Sequence, residues 1–306
     1  MSSETTTVTR RNVLKMAAAA GVATTVAACG DRASIVKDFI HTRLREMTPD
    51  DVQAFCARLE KELGEQFGQT VRVGAEPPLE GVIFGYGLDL SRCNGNRRCV
   101  EACIDENNQS RASPDAKHNN PIAWITVLEM DEEAGIDFAG ASAYSDPAKV
   151  PEEGKAYIPV ACQQCDNAPC VKVCPVKATW AEADGIVVID YDQCIGCRCC
   201  MSACPYGARH FNWSEPSLPA GELNPARHVR WNRPSMRGVV EKCTFCIQRT
   251  RKGLYPACHD ACPTGARVFG NLLDPESEIR RLLGSKRVFV LKSELGTHPK
   301  FFYFYS

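Results

Sequence analysis

The chain has 306 residues, enough for two compact domains with appendages, and its 44% hydrophobic and 24% charged content is ordinary for a folded globular protein. A net charge of −1 argues against nucleic acid as the main partner. A mean hydropathy of −0.25, with no long apolar run, argues against a membrane-spanning helix in the mature chain.

Residues 9–15 read Thr-Arg-Arg-Asn-Val-Leu-Lys, so Arg10-Arg11 carry the pattern of a twin-arginine (Tat) export signal, followed by a short Ala-rich stretch over 16–28. Its end, Val26-Ala27-Ala28-Cys29-Gly30, resembles a lipobox, with ordinary cleavage nearby as the alternative to lipidation of Cys29. Residues 1–29 are therefore expected to be a removable address. Thr48-Pro49-Asp50-Asp51 predicts a helix start, with a Thr cap, Pro at the first helical position and acids in the first turn. Val52, Phe55, Cys56, Leu59, Leu63 and Phe67 then recur at helical spacing. On that face Cys56 reads as a small buried hydrophobe. Val71-Arg72-Val73 predicts a short strand and Pro77-Pro78 breaks regular structure after it, so 30–80 reads as an extension wrapped on the remainder.

From 81 onward the cysteines organise the chain. Fifteen of the 18 fall into four groups. They are Cys93, Cys99 and Cys103; Cys162, Cys165, Cys170 and Cys174; Cys194, Cys197, Cys200 and Cys204; and Cys243, Cys246, Cys258 and Cys262. Between the first two groups lie a strand-like run, Ile122–Leu128, and an acidic one: Glu129, Asp131, Glu132, Glu133, Asp137, Asp146, Glu152 and Glu153. Between the second and third, Ile186-Val187-Val188-Ile189 is strand-like. A basic stretch follows, with Arg227, Arg230, Arg233 and Arg237, continued by Arg249, Arg251 and Lys252. Both charged runs read as solvated surface or as docking surface for redox partners.

A disulfide scaffold is usually a chain too short to build a core, and zinc leaves the third cysteine of each group unexplained. The run Cys-x2-Cys-x2-Cys-x3-Cys-Pro at 194–205 is the ligand pattern of bacterial ferredoxins, in which the fourth cysteine of a run serves the other cluster. Groups two and three with the strand between them have the βαβ rhythm of such a ferredoxin, which leaves groups one and four to pair across it. The expected fold is α+β: two interleaved ferredoxin-like (βαβ)2 modules with an N-terminal helical extension and inserted loops. One module is 81–115 with 236–275, the inserted one is 116–235, and 276–306 is a C-terminal tail.

The crossing rule predicts four ligand sets. Cluster A takes Cys162, Cys165, Cys170 and Cys204. Cluster B takes Cys194, Cys197, Cys200 and Cys174. Cluster C takes Cys243, Cys246, Cys258 and Cys103. Cluster D has only Cys93, Cys99 and Cys262, because Asn96 stands where a second cysteine is due. Asparagine is a weak, hard donor to thiolate-held iron. Cluster D is then a three-iron cluster, a cube with oxygen at one iron, or missing. Pro175, Pro205 and Pro263 turn the chain away after their cysteines, whereas Ile104 breaks that pattern in the first group. Cys199 is off register and reads as a spare thiol. His210, His228 and His259 show no ligand spacing. Gly85-Tyr86-Gly87 lacks the third glycine of a dinucleotide fingerprint, and no catalytic set stands out.

The runs Cys162-Gln163-Gln164-Cys165-Asp166-Asn167-Ala168-Pro169-Cys170, Cys194-Ile195-Gly196-Cys197-Arg198-Cys199-Cys200, Glu241-Lys242-Cys243-Thr244-Phe245-Cys246 and Ala261-Cys262-Pro263-Thr264-Gly265-Ala266 resemble the four-cluster electron-transfer subunit of the dimethyl sulfoxide reductase family. Its relatives include subunits of polysulfide, tetrathionate and nitrate reductases. The resemblance covers roughly 81–305 and is specific for subunit type, not for substrate. It implies a non-catalytic relay with three [4Fe–4S] clusters, and a [3Fe–4S] cluster at site D, since related beta subunits also replace one ligand. It implies a molybdopterin catalytic subunit on one side and an integral-membrane, quinone-interacting subunit on the other. Some exported relatives instead serve multihaem-cytochrome or heterodisulfide-reductase-like membrane complexes without molybdenum. With the Tat signal, the expected place is the periplasmic face of the cytoplasmic membrane.

Overall fold

A computed structural model describes residues 47–112, 121–131, 133, 142–143 and 149–306. The twin arginine, the Ala-rich stretch and Cys29 lie outside the described residues, as do Glu132, Asp137 and Asp146 of the acidic run. By its internal contacts the chain divides into Met1–Asp51 and Val52–Ser306, and only 47–51 of the first unit are described.

In chain order the elements are α1 (Pro49–Phe67), β1 (Arg72–Gly74), β2 (Phe84–Asp89), α2 (Arg98–Glu106), β3 (Thr126–Asp131), β4 (Ser142–Ala143) and β5 (Lys155–Val160). Then come α3 (Pro169–Lys172), β6 (Thr179–Ala181), β7 (Val187–Ile189), α4 (Cys199–Ser202), β8 (His210–Phe211), β9 (Ala226–His228) and β10 (Val240–Glu241). The chain ends with α5 (Ile247–Thr250), α6 (Ala257–Asp260), β11 (Arg267–Asn271), α7 (Glu278–Ser285), β12 (Val288–Phe289) and β13 (Phe301–Phe304). Short helices and small sheets dominate because cysteine loops, not long regular elements, organise the middle of the chain.

The first helix starts as its sequence predicts. The Asp51 N–H donates to Thr48 Oγ1 at 3.2 Å while the Thr48 N–H donates to Asp51 Oδ2 at 2.9 Å, a reciprocal cap that satisfies two otherwise orphaned donors. Further along, Cys56 is buried with Val71, Val73 and Leu223, and Val52, Leu59, Leu63 and Phe67 pack around them. The strand predicted at 71–73 forms one residue later as β1 and pairs in parallel with β9, Arg72 opposite Ala226. Helix α1 and β1 thus close their own small core against 218–229.

The main sheet has the order β11-β2-β13-β12. β2 is buried along its whole length, antiparallel to β11 (Tyr86 opposite Phe269) and parallel to β13 (Tyr86 opposite Phe301). Gly85 and Gly87 belong to this strand, and a Cβ at Gly85 would lie 2.6 Å from Leu272, so the glycine pair serves packing. The sheet brings 84–106 beside 257–271, so groups one and four are neighbours. Within the C-terminal tail, 276–306, β13 is internal to the sheet, and Tyr303 is fully buried with its hydroxyl donating to Pro159 O at 3.2 Å.

Ile122 to Leu128 is strand only from Thr126; Ile122, Trp124 and Ile125 are buried ahead of it. The sheet β4-β3-β5 packs into the same core as Tyr86, Leu88, Phe245 and Phe301, so this part of 116–235 joins the outer pair of groups. A second core holds groups two and three, with Val187 and Ile189 of the β6–β7 hairpin beneath them and Val240 of β10 added from beyond. The basic run is not all surface, which corrects that reading for two residues. Arg227 is buried, and Arg251 is buried with its Nε 2.8 Å from Asp184 Oδ2 and its Nη2 paired to Glu182. Among the described residues no helix is long and apolar enough to cross a membrane.

Candidate iron–sulfur sites

All seventeen described cysteines are free thiols. Fifteen gather in four sets, each drawn from two groups. Cys162, Cys165, Cys170 and Cys204 line one cavity of about 330 Å3 (site A). Cys174, Cys194, Cys197 and Cys200 line another of about 310 Å3 (site B). Cys93, Cys99 and Cys262 line a third of about 330 Å3, together with Asn96 (site D). Cys103, Cys243, Cys246 and Cys258 form the fourth set (site C), where burial first, then the three neighbouring sulfurs, drive the Cys103 thiol far up. Among the described residues no three His, Cys, Asp or Glu side chains close on a point where a single ion would sit. The thiols of sites A, B and D line cavities instead, and zinc, with sulfur at about 2.3 Å, needs a tighter arrangement.

Local sequence explains each loop. In Cys194-Ile195-Gly196-Cys197-Arg198, Gly196 has φ +70° and a Cβ there would lie 2.2 Å from Gly238 O, so only glycine fits. Arg198 is left-handed at φ 61°, ψ 6°, and α4 begins just after it. The site D loop repeats this course: Gly95 has φ 74°, Arg97 has φ 60°, ψ 7°, and α2 follows. Asn96 therefore occupies the backbone position of Cys197. Its Oδ1 accepts the Arg98 N–H at 3.0 Å and its amide donates to Asn94, so its side chain is used within the loop. In group two, Cys170 lies on α3 and lines site A, while Cys174, four residues on, lines site B and accepts the Ala178 N–H at 3.2 Å.

Burial makes several of these thiols poor thiolates on their own. It pushes Cys93 up to about 11, and Cys165 and Cys243 up to about 12, with neighbouring sulfurs adding to the rise. Only a positively charged group among the sulfurs reverses that cost, and an iron–sulfur core fits this donor set. Cys262 goes the other way. Burial opposes its ionisation too, but the Thr264 hydroxyl, the Ala266 N–H and the Arg267 guanidinium outweigh it and hold the thiol below its usual value.

The sets adjoin one another in the order D, C, A, B. Cys258 of site C feels Cys99 of site D, Cys243 of site C feels Cys162 of site A, and Cys200 of site B feels Cys170 of site A. Cys103, Cys246 and Cys258 are buried, whereas Cys197 at the site B end is exposed, with the exposed Ile195 on the same cavity and the neighbouring Arg198 over the exposed Trp213 ring at 4.5 Å.

Several polar neighbours escaped the cysteine count. Gln109 Nε2 donates to Cys103 Sγ at 3.1 Å, and Asn107 Nδ2 lies 3.6 Å from both Cys103 and Cys246 sulfurs. Gln164 donates to Cys243 O and accepts from Val187 N–H, each at 2.8 Å, tying site A to site C. Arg209 Nη2 donates to Cys170 Sγ at 3.1 Å, and buried Arg267 lines site D. A signal for the two arginines does exist: Cys-Pro-x-Gly-Ala-Arg occurs at 204–209 and again at 262–267. Cys199 is exposed and outside the four sets, and Cys56 lies in the α1 core. Burial lowers His210 and His228 to about 4, and His259 stacks on Tyr255.

Two family models, both described as 4Fe–4S dicluster domains, match residues 91–178 and 154–228 with 219–272. The chain is 41% identical over 226 residues to the putative iron–sulfur subunit of the dimethyl sulfoxide reductase of Halobacterium salinarum, covering 72% of this chain and 78% of that one. The chain belongs to the family of iron–sulfur subunits of dimethyl sulfoxide reductase-type complexes. It is also 40% identical to the menaquinone reductase iron–sulfur cluster-binding subunit of Nitratidesulfovibrio vulgaris, over 72% of this chain and 88% of the other. A third relative, the Hdr-like menaquinol oxidoreductase iron–sulfur subunit 1 of Archaeoglobus fulgidus, is 41% identical over 72% of this chain and 82% of its own. The dicluster domains and the cysteines indicate multiple iron–sulfur clusters, and the relatives are iron–sulfur subunits of reductase complexes, consistent with an electron-transfer role; catalytic activity is not attributed to these subunits.

Proposed function

We propose that this chain is a periplasmic electron relay between a quinone-linked membrane subunit and a redox partner, most simply a molybdopterin oxidoreductase. Site A is held by Cys162, Cys165, Cys170 and Cys204, site B by Cys174, Cys194, Cys197 and Cys200, and site C by Cys103, Cys243, Cys246 and Cys258, each with a [4Fe–4S] cluster. Site D, with Cys93, Cys99 and Cys262, holds a [3Fe–4S] cluster. The two crossed pairs make the chain two interleaved ferredoxin-like modules. The observation that carries this reading is the unbroken succession of four sulfur sets, D to C to A to B, with an exposed thiol, Cys197, at one end.

When bound, the clusters supply one-electron redox chemistry. The chain's own residues fix the order of sites, exclude water and place N–H donors on sulfur, and those donors favour the more negative, reduced state. The three-iron reading of site D is supported by its three thiols and by the use of the Asn96 oxygen within its own loop. The Archaeoglobus relative, a subunit of an Hdr-like menaquinol oxidoreductase, supports a second reading, a subunit of a heterodisulfide-reductase-like membrane complex.

The test is anaerobic purification of the chain with its partners. Iron should come to about 15 per chain, from three four-iron clusters and one three-iron cluster, with acid-labile sulfide to match. A menaquinol analogue should reduce the complex. A colourless or zinc-loaded chain, or iron that exchanges electrons with neither partner, would overturn the reading. A co-purifying bis-pterin subunit selects the first partner class, and a heterodisulfide-reductase-like set the second.

A further inference from the structure

Three buried cations lie at the three junctions between neighbouring sulfur sets. Between D and C is Arg267, which lines site D and whose Nη1 lies 3.3 Å from the Tyr86 hydroxyl; that hydroxyl in turn lies 3.3 Å from Cys258 Sγ of site C. Between A and B is Arg209, bonded to Cys170 Sγ at 3.1 Å and to Thr179 Oγ1 at 2.9 Å, and offsetting part of the rise that burial imposes on Cys200. Between C and A is Lys242, wholly buried, whose Nζ donates to Cys243 O at 2.7 Å and to Val187 O.

A buried charge needs a counter-charge. Elsewhere in this molecule that need is met by carboxylates, as where Asp184 and Glu182 hold Arg251. Among the described residues no carboxylate is paired with Arg209, Arg267 or Lys242. In addition, Nε and Nη1 of Arg209 and Nη2 of Arg267 are buried without any hydrogen-bond partner. Both arginines follow the same Cys-Pro-x-Gly-Ala turn, with Gly207 and Gly265 at the same φ of 62°. The repeat thus delivers a guanidinium to the same place in each half, with donors to spare, beside Cys170 and Thr179 in one half and beside the Tyr86 hydroxyl that reaches Cys258 in the other.

We propose that Arg267, Lys242 and Arg209 form a ladder of buried cations, one at each junction, whose charge and free N–H donors raise the reduction potential of both flanking clusters. This inference rests on the cluster assignment above. Each added electron brings one more negative charge into a low-dielectric interior, and adjacent reduced clusters repel. A cation at the junction stabilises the reduced form on either side. The guanidinium, charged at all accessible pH values, does so without proton uptake.

The experiment is a redox titration of the loaded chain, followed by electron paramagnetic resonance, with iron content measured first. Arg209→Gln should shift the one-electron equilibrium of clusters A and B toward the oxidised form by about tenfold or more, about 59 mV, leaving D within about threefold of wild type. Arg267→Gln should do the same to D and C and spare B, and Lys242→Met should move C and A. Arg209→Lys, which keeps charge, should recover most of the shift. Fully loaded variants with unchanged flanking potentials, or with all four shifted alike, would overturn the ladder. Where a variant does not load, wild-type protein labelled with 15N only in its guanidinium groups decides: reduced clusters should carry 15N hyperfine coupling, and its absence refutes the arginine contacts. Wild-type protein without clusters would instead sink the assignment on which the ladder depends.

Discussion

At the scale of single residues, Asn96 and Cys197 make a controlled pair. Both follow a glycine of positive φ and precede a left-handed arginine, and a helix starts one residue later in each loop. The backbone at Asn96 is thus already shaped to present a thiolate. Asn96→Cys should convert site D to a four-thiolate site, abolishing the paramagnetism of an oxidised [3Fe–4S] cluster and adding about one iron per chain. An unchanged spectrum and iron count would mean that the loop is not a ligand loop. The missing thiolate was readable from spacing alone, because the loop is local. The roles of Arg209, Arg267, Asn107 and Gln109 were not, because counting cysteines registers ligands and not the donors that long-range folding brings to their sulfurs.

At the scale of elements, the four-residue helix α3 and the turn after it send their cysteines two ways. Cys170 lines site A and Cys174, four residues further on, lines site B. Cys174→Ala should therefore strip iron from the site of Cys194, Cys197 and Cys200 while the signal of site A persists. Loss confined to site A would overturn the crossed assignment. Elements outside the sites have their own polar locks. The His228 ring, at the end of β9, accepts the Arg230 N–H on Nδ1 at 3.2 Å and lies 3.3 Å from Glu76 O through Nε2, so it is neutral. Burial, with Arg251 and Lys252 nearby, lowers it to about 4. The unfolded chain binds this proton below about 6.5 and the folded chain does not, so stability falls as pH drops from there towards 4. Denaturant midpoints of His228→Gln should show a weaker fall over that window than wild type, and parallel curves would count against it. The pairing of β1 with β9 could not be seen in sequence: three-residue strands about 150 positions apart carry no periodic signal, whereas the capped, striped α1 does.

At the scale of the whole molecule, the sulfur array constrains how the protein reaches its place. Cys103, Cys246 and Cys258 are buried, and their site takes cysteines from groups more than a hundred residues apart. Loading the sites therefore requires the chain to be folded, or to fold around the clusters. Cluster assembly belongs to a reducing compartment, where thiols are kept free. A chain threaded unfolded across a membrane would arrive in an oxidising space with 15 site cysteines open to disulfide formation. On the proposed periplasmic function, export after folding avoids this, and the Arg10-Arg11 pair is the sequence feature expected to address that route. Replacing Arg10 and Arg11 with lysine should leave loaded protein in the cytoplasm, with its visible absorption intact, and little in the periplasm. Iron-free protein accumulating outside would show that the chain is threaded before loading, and undiminished loaded protein outside would mean that a signal on a partner subunit carries it. Cys29→Ser separates address from anchor: export should persist, and if Cys29 is the lipid attachment the exported protein should no longer partition with membranes unless its membrane partner holds it there.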